Sequence, residues 1–131
     1  MREYEFFVPV MPPSTNAIYA GVHWSKRHKW SERVHDLVKN LTLGVKPFTV
    51  PVSIMIRPVI GKGCRARDTS NYSYALKLIE DGVVASGVIA GDESDKVYDV
   101  HILRPVTDRK REAGINVLIR EWSGESDKFI Y

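Results

Sequence analysis

Two segments with helical spacing of apolar residues alternate with segments rich in β-branched and aromatic residues, and this order constrains the fold more than any other feature. The helical spacing runs from Ser25 to about Leu43 and again from about Asn71 to Ser86. Strand-like composition is found at 4–10, 50–60, 97–104 and 115–122. Because each helix has an apolar face to bury, the sequence predicts an α+β fold of order β-α-β-α-β-β, with two helices on one face of a small mixed sheet.

Proline, glycine and serine mark the expected boundaries of these elements. Ser25 is a candidate N-cap of the first helix and Gly44 a candidate C-cap. Pro51 and Pro58 place the second strand near an edge or confine it to part of 50–60, because proline cannot donate a hydrogen bond to a neighbouring strand. We expect the last two strands to form a hairpin across the 105–114 loop.

The length and composition predict a single domain over 1–122, followed by a C-terminal tail over 123–131. Cys64 is the only cysteine, so no intrachain disulfide can form, which fits a reducing cytoplasm. No apolar run approaches the ~20 residues of a membrane helix, and the start lacks the apolar core of a signal peptide. We therefore expect a cytoplasmic protein without membrane contact.

The charge distribution suggests a polyanionic partner. The formal net charge is +3, and the basic residues cluster along the chain. The candidate DNA-binding residues are Lys26, Arg27, Lys29, Arg33, Lys62, Arg65 and Arg67. Clustered cations can bind nucleic-acid phosphates, although solvated surface loops would have the same composition.

Acidic, amide and hydroxyl side chains are concentrated between 68 and 95, next to several of these cations. The candidates are Asp68, Ser70, Asn71, Lys77, Asp81, Asp92 and Glu93. Carboxylates beside cations indicate Mg²⁺ bound next to a phosphate, since Mg²⁺ prefers oxygen ligands. The alternatives stay open: residues 68–71 can be capping residues, the lysine and aspartate at i,i+4 can be a surface ion pair, and the acidic turn can be solvated.

The order of these motifs resembles the RusA family of Holliday junction resolvases over nearly the whole chain. An opening strand is followed by the P-P-S-T-N segment at 12–16. Further on come an aspartate and an asparagine at 68 and 71, a K-x-x-x-D-G segment at 77–82, and an acidic pair at 92–93. The resemblance implies a homodimer that binds branched, four-way DNA and makes paired nicks with Mg²⁺, for which Mn²⁺ can substitute.

The resemblance also implies roles for individual residues. Asp68, Lys77 and Glu93 fall on catalytic positions, and Asp68, Asp92 and Glu93 on metal-binding positions. Ser70, Asn71 and Asp81 fall on supporting positions.

Three positions depart from the family pattern. Ser70 replaces an aspartate, Tyr74 occupies the usual lysine position with Lys77 three residues beyond it, and Glu93 replaces an aspartate. These changes put catalysis in question and leave three hypotheses. The first is a junction endonuclease, the second a branched-DNA-binding accessory protein with weak or no cleavage, and the third a protein-contact module.

Overall fold

The structure, a computed structural model, describes residues 1–21, 23–91 and 95–124. Its strands in this part of the chain are β1 (Glu3–Val8), β2 (Val52–Lys62), β3 (Val97–Ile102), β4 (Val106–Glu112) and β5 (Gly114–Glu121). Its helices are α1 (Thr15–Tyr19), α2 (Trp24–Leu41) and α3 (Ser73–Ala85), the last preceded by a 3₁₀ turn at Thr69–Tyr72. The predicted α+β class with a mixed sheet is confirmed.

β2 lies in the interior of the sheet, so the edge alternative is wrong. The strand begins directly after Pro51 but continues through Pro58. The strand order is β1-β5-β2-β3, with β4 also paired to β2. Pro58 is tolerated because of where its missing donor would point. The Ile56 carbonyl accepts a bond from the Leu103 amide at 2.8 Å, on the β3 side. Backbone groups two residues apart face the same side of a strand, so the Pro58 nitrogen also faces the β3 side. It meets a gap there, because the pairing with β3 ends at Ile56 and the pairing with β4 begins at Val59.

The predicted hairpin between the last two strands is also wrong. β3 and β5 lie on opposite sides of β2, β3 parallel to it and β5 antiparallel. The expected 105–114 loop contains β4, which runs parallel to the end of β2. Every residue of β4 is exposed, so the segment lacks the alternation of buried and exposed positions that identifies a strand in a sequence.

The first long helix is confirmed with corrected caps. α2 begins one residue before Ser25, and the N-cap is His23, whose Nδ1 accepts the Ser25 amide at 3.2 Å. At the other end Thr42 is the C-cap. Gly44 follows with a φ of +75°, a conformation that glycine adopts at little cost, and turns the chain away from the helix axis.

The core lies between the sheet and the two long helices, as predicted. Buried side chains from α2, α3 and one face of β1, β2 and β5 form a single cluster. α2 and α3 approach closely at Gly82, where an added Cβ would lie 3.2 Å from the Val38 side chain. None of the helices in the described ranges has the length and apolar character of a membrane-spanning segment.

Candidate nucleic-acid and metal site

Asp68 ends the loop that follows β2 and immediately precedes the 3₁₀ turn. Its backbone carbonyl accepts the Asn71 amide at 2.9 Å, but its side chain makes no capping bond. The side chain is exposed, and within the described residues its carboxylate has no hydrogen bond or ion pair. The capping alternative for this carboxylate is therefore wrong, and its oxygens are available to a ligand.

Arg67 and Tyr72 hold the Asp68 loop in place. The Arg67 amide donates to the Tyr72 hydroxyl at 3.2 Å, and its Nη1 donates to the Pro12 carbonyl at 2.9 Å. The guanidinium also lies 5.3 Å from the centroid of the Tyr72 ring. Tyr72 is fully buried, and this desolvation raises the pKa of its phenol above 10.0. Arg67 thus has a structural role in addition to the predicted DNA contact.

Thr15 joins the 12–16 segment to the start of α3. Its hydroxyl accepts the Tyr74 amide at 3.0 Å and donates to the Asn71 carbonyl at 3.3 Å. The same oxygen lies 2.7 Å from the Ser73 hydroxyl. Two segments that carry the family resemblance, more than fifty residues apart in sequence, are therefore in direct contact.

Lys77 and Asp81 form the predicted pair on one face of α3. Lys77 Nζ lies 3.1 Å from Asp81 Oδ1 and 4.0 Å from Glu80 Oε1. The Lys77 and Asp81 side chains are 56% and 36% exposed, so solvent screens their attraction. This geometry is compatible with both the ion-pair and the catalytic interpretations of Lys77.

Asp92 and Glu93 lie outside the described residues, so their predicted catalytic and metal-binding roles stay predictions. Their neighbour Asp95 has its Oδ2 3.8 Å from Lys96 Nζ. The Lys96 carbonyl accepts the Val52 amide at 3.0 Å, which places Asp95 at the beginning of β2, whereas the Asp68 loop follows its end. Among residues 1–21, 23–91 and 95–124, no three His, Cys, Asp or Glu side chains come together as a metal site.

A groove beside α2 collects most of the predicted DNA-binding residues. Two adjoining cavities, of about 390 and 260 Å³, share Trp30 and Arg33 as walls. We call them together the Trp30 groove, and its lining is Lys26, Lys29, Trp30, Arg33, Lys62, Pro9, Val10, Met11, Glu112 and Ala113. The four α2 residues are spaced i, i+3, i+4 and i+7, so they share one helix face.

The Trp30 groove adjoins the Asp68 loop. Met11 lines the groove, and the next residue, Pro12, accepts the hydrogen bond from Arg67. Lys62, at the end of β2, lines the groove six residues before Asp68. The groove and the available carboxylate therefore lie at the same end of the sheet.

Besides Arg67, two of the predicted DNA-binding residues lie outside the groove lining. Arg27 is half-buried, and its Nε is buried without a hydrogen-bond partner in the described structure. Its carbonyl accepts the Tyr74 hydroxyl at 3.5 Å, so this residue faces α3 rather than the groove. Arg65 is exposed on the loop before Asp68.

The sequence favours a core role for Trp30 over stacking on unpaired bases, the alternative that its position among cations also allows. In the structure Trp30 packs partly against the core and also lines the groove beside three cations. Sequence reasoning missed another part of this surface. Glu112 reaches the groove only through the pairing of β4 with Lys62, a contact for which the sequence carries no local signal.

No model of a known protein family matches the chain, and no curated protein matches it. The likeness to the RusA resolvases therefore depends on the motifs and on their order.

Proposed function

We propose that this protein is a RusA-like, Mg²⁺-dependent endodeoxyribonuclease that resolves four-way DNA junctions by paired nicks. One observation carries the proposal: the exposed Asp68 carboxylate, unengaged within the described part of the chain, lies at the same end of the sheet as a groove lined by four cations. Cations beside an available carboxylate suit a phosphodiester substrate with a metal ion bound next to it. Two opposed nicks require two such sites, and a homodimer would supply them.

The Asp68 loop offers oxygen ligands of the kind that Mg²⁺ prefers. Asp68 would hold the ion through its exposed carboxylate, and the exposed Ser70 hydroxyl adds a neutral oxygen where the family has a carboxylate. The resemblance assigns Asp92 and Glu93 to the same ion, whereas Asp95, the described residue nearest to them in sequence, lies at the opposite end of β2. Bound there, Mg²⁺ would polarise the scissile phosphate and lower the pKa of the attacking water.

The other proposed roles belong to cationic side chains. The Lys77 ammonium stabilises negative charge that develops on the phosphate or on the leaving oxygen. The cations of the Trp30 groove hold the DNA through its phosphates, which selects branched structure more than base sequence.

Cleavage of a synthetic four-way junction tests this function. Wild type with Mg²⁺ should produce paired nicks, and Asp68→Asn should abolish them because the neutral amide is a poor metal ligand. Asp36→Asn, at an exposed position of α2, is the matched control and should cut normally. Equal cleavage by wild type and Asp68→Asn would exclude the proposed role of Asp68.

A second candidate is a branched-DNA-binding accessory protein with weak or no cleavage. It is favoured by Ser70, a neutral residue where the family has a carboxylate. Junction binding without nicking in the wild type, and nicking in Ser70→Asp, would support it. If the wild type cleaves the junction and Ser70→Asp cleaves it no faster, this second candidate is contradicted.

A further inference from the structure

We propose that the Trp30 groove is a binding site for one unpaired nucleotide of a DNA strand, with its base stacked on the Trp30 indole. The inference rests on the proposed function, because it names the part of a branched substrate that this surface recognises. It also assigns Trp30 a ligand-binding role in addition to its packing against the core.

The indole of Trp30 is a fixed platform. It is partly buried and packs against the core cluster, while its remaining surface lines both cavities of the groove. Trp24, six residues earlier and 65% exposed, packs instead beside His23 and His28 with ring centroids 5.6 and 6.5 Å away. A ring held by the core loses little conformational freedom when a base stacks on it, so Trp30 is the better platform.

The charges around Trp30 match a nucleotide strand. Lys26, Lys29 and Arg33 surround the indole on the same helix face, and the Arg33 guanidinium lies 5.3 Å from its ring centroid. Lys62 adds a fourth cation across the groove, and Glu112 is the only acidic residue among the described lining residues. An aromatic platform flanked by cations is the arrangement that binds a base and its neighbouring phosphates.

Stacking on the indole favours an unpaired base over duplex DNA. The larger cavity, about 390 Å³, lies within the range of ~300–1,000 Å³ that ligand pockets occupy. Bases within a duplex have both faces covered by their neighbours, so neither face can stack on Trp30. A base at a branch point can unstack, and its exposed face can then lie on Trp30.

The site can be tested by measuring the fluorescence of a single-stranded oligonucleotide as the protein binds it. A length of about eight nucleotides is within the usual site size of single-strand-binding proteins. With 2-aminopurine as one base, wild type should quench its emission on binding. Trp30→Leu should weaken binding roughly tenfold, since one base–aromatic contact is worth ~1–3 kcal/mol, and should remove the quenching. Trp30→Phe should retain most of the affinity and most of the quenching, because phenylalanine keeps an aromatic face. Trp24→Leu, on the same helix, should bind like wild type.

Two further measurements separate stacking from structural damage. Trp30→Leu should keep the wild-type dependence of binding on salt, because the four cations remain. Glu112→Gln, which leaves Trp30 intact, should strengthen binding by removing negative charge from the groove. Absence of 2-aminopurine quenching by the wild type would overturn the proposal, as would equal affinity of wild type, Trp30→Leu and Glu112→Gln.

Junction cleavage distinguishes this inference from the proposed function. If the wild type nicks a junction but binds single strands independently of Trp30, the nucleotide site is wrong and the nuclease stands. If Trp30-dependent binding and quenching occur without nicking, the nucleotide site stands and the nuclease proposal fails.

Discussion

The two long helices pack side by side, yet they use their surfaces in different ways. α2 has 18 residues, of which only Val34 and Val38 are buried. α3 has 13 residues, of which six are buried. α3 is therefore mainly a structural element, whereas α2 is anchored by a narrow apolar stripe and leaves a cationic, aromatic face available to a partner.

This difference separates effects on stability from effects on binding. Substitutions on the buried face of α3 should lower the free energy of unfolding, while substitutions of the groove cations of α2 should change affinity and leave stability intact. The start of α3 is intermediate, because it is held by Thr15 and lies directly after the Asp68 loop.

The largest expected effect follows from truncating the buried face of α3. Ile79 is fully buried in the core cluster, so Ile79→Ala should lower the free energy of unfolding by about 2–5 kcal/mol through lost contacts and a cavity. Urea denaturation measures the loss. Lys39→Ala, exposed on α2, should change stability by less than about 0.5 kcal/mol. Similar losses for the two variants would contradict the distinction between the helices.

Removing the cations of α2 tests the other side of the comparison. The triple variant Lys26→Ala, Lys29→Ala and Arg33→Ala should bind DNA much more weakly at low salt. Each lost phosphate contact should reduce the slope of log K against log salt by about 0.9 for duplex DNA. Because all three side chains lie in the groove rather than the core, the urea midpoint should stay close to that of wild type. Binding titrations over a salt series measure the slope.

Arg27 provides a matched control for the triple variant. It lies on the same helix, but its Nε is buried and its carbonyl contacts Tyr74. Arg27→Ala should therefore leave the salt slope unchanged. If the slope were reduced for Arg27→Ala but not for the triple variant, the DNA interface would lie on the other face of α2.

The sequence predicted those parts of the fold whose side chains alternate between core and solvent. α2 and α3 show helical spacing because each has a buried stripe, and both were located to within a few residues. β4 lacks such a pattern because none of its seven residues is buried. The central position of β2 depends on pairings with residues 47 to 69 positions away in sequence, and its two prolines pointed to an edge instead.

The same division applies to the candidate site. The cations of α2 could be grouped from helical spacing, because 26, 29 and 33 lie within two turns of one helix. The contact between Thr15 and Tyr74 could not be predicted, since a hydroxyl from one helix satisfies an amide at the start of another. Only the tertiary fold brings these two groups within hydrogen-bonding distance.

Thr15→Val sharpens the comparison at the start of α3. It removes an oxygen that accepts the Tyr74 amide, so stability should fall by about 0.5–2 kcal/mol, as for a lost helix cap. Urea denaturation measures the change. Ser70→Ala, at an exposed position, is the control and should be close to neutral. If Thr15→Val were equally neutral, the contact would not stabilise α3.

The smallest expected effect concerns the exposed face of α3. With Lys77 56% exposed and Asp81 36% exposed, a double-mutant cycle with Lys77→Ala and Asp81→Asn should give a coupling of only ~0.3–0.5 kcal/mol in stability. Junction cleavage should separate the two residues, falling more than about tenfold for Lys77→Ala if its ammonium stabilises developing charge, and much less for Asp81→Asn. If both variants cleaved as well as wild type, Lys77 and Asp81 would be a surface ion pair without a catalytic role. α3 would then have only a structural role along its whole length.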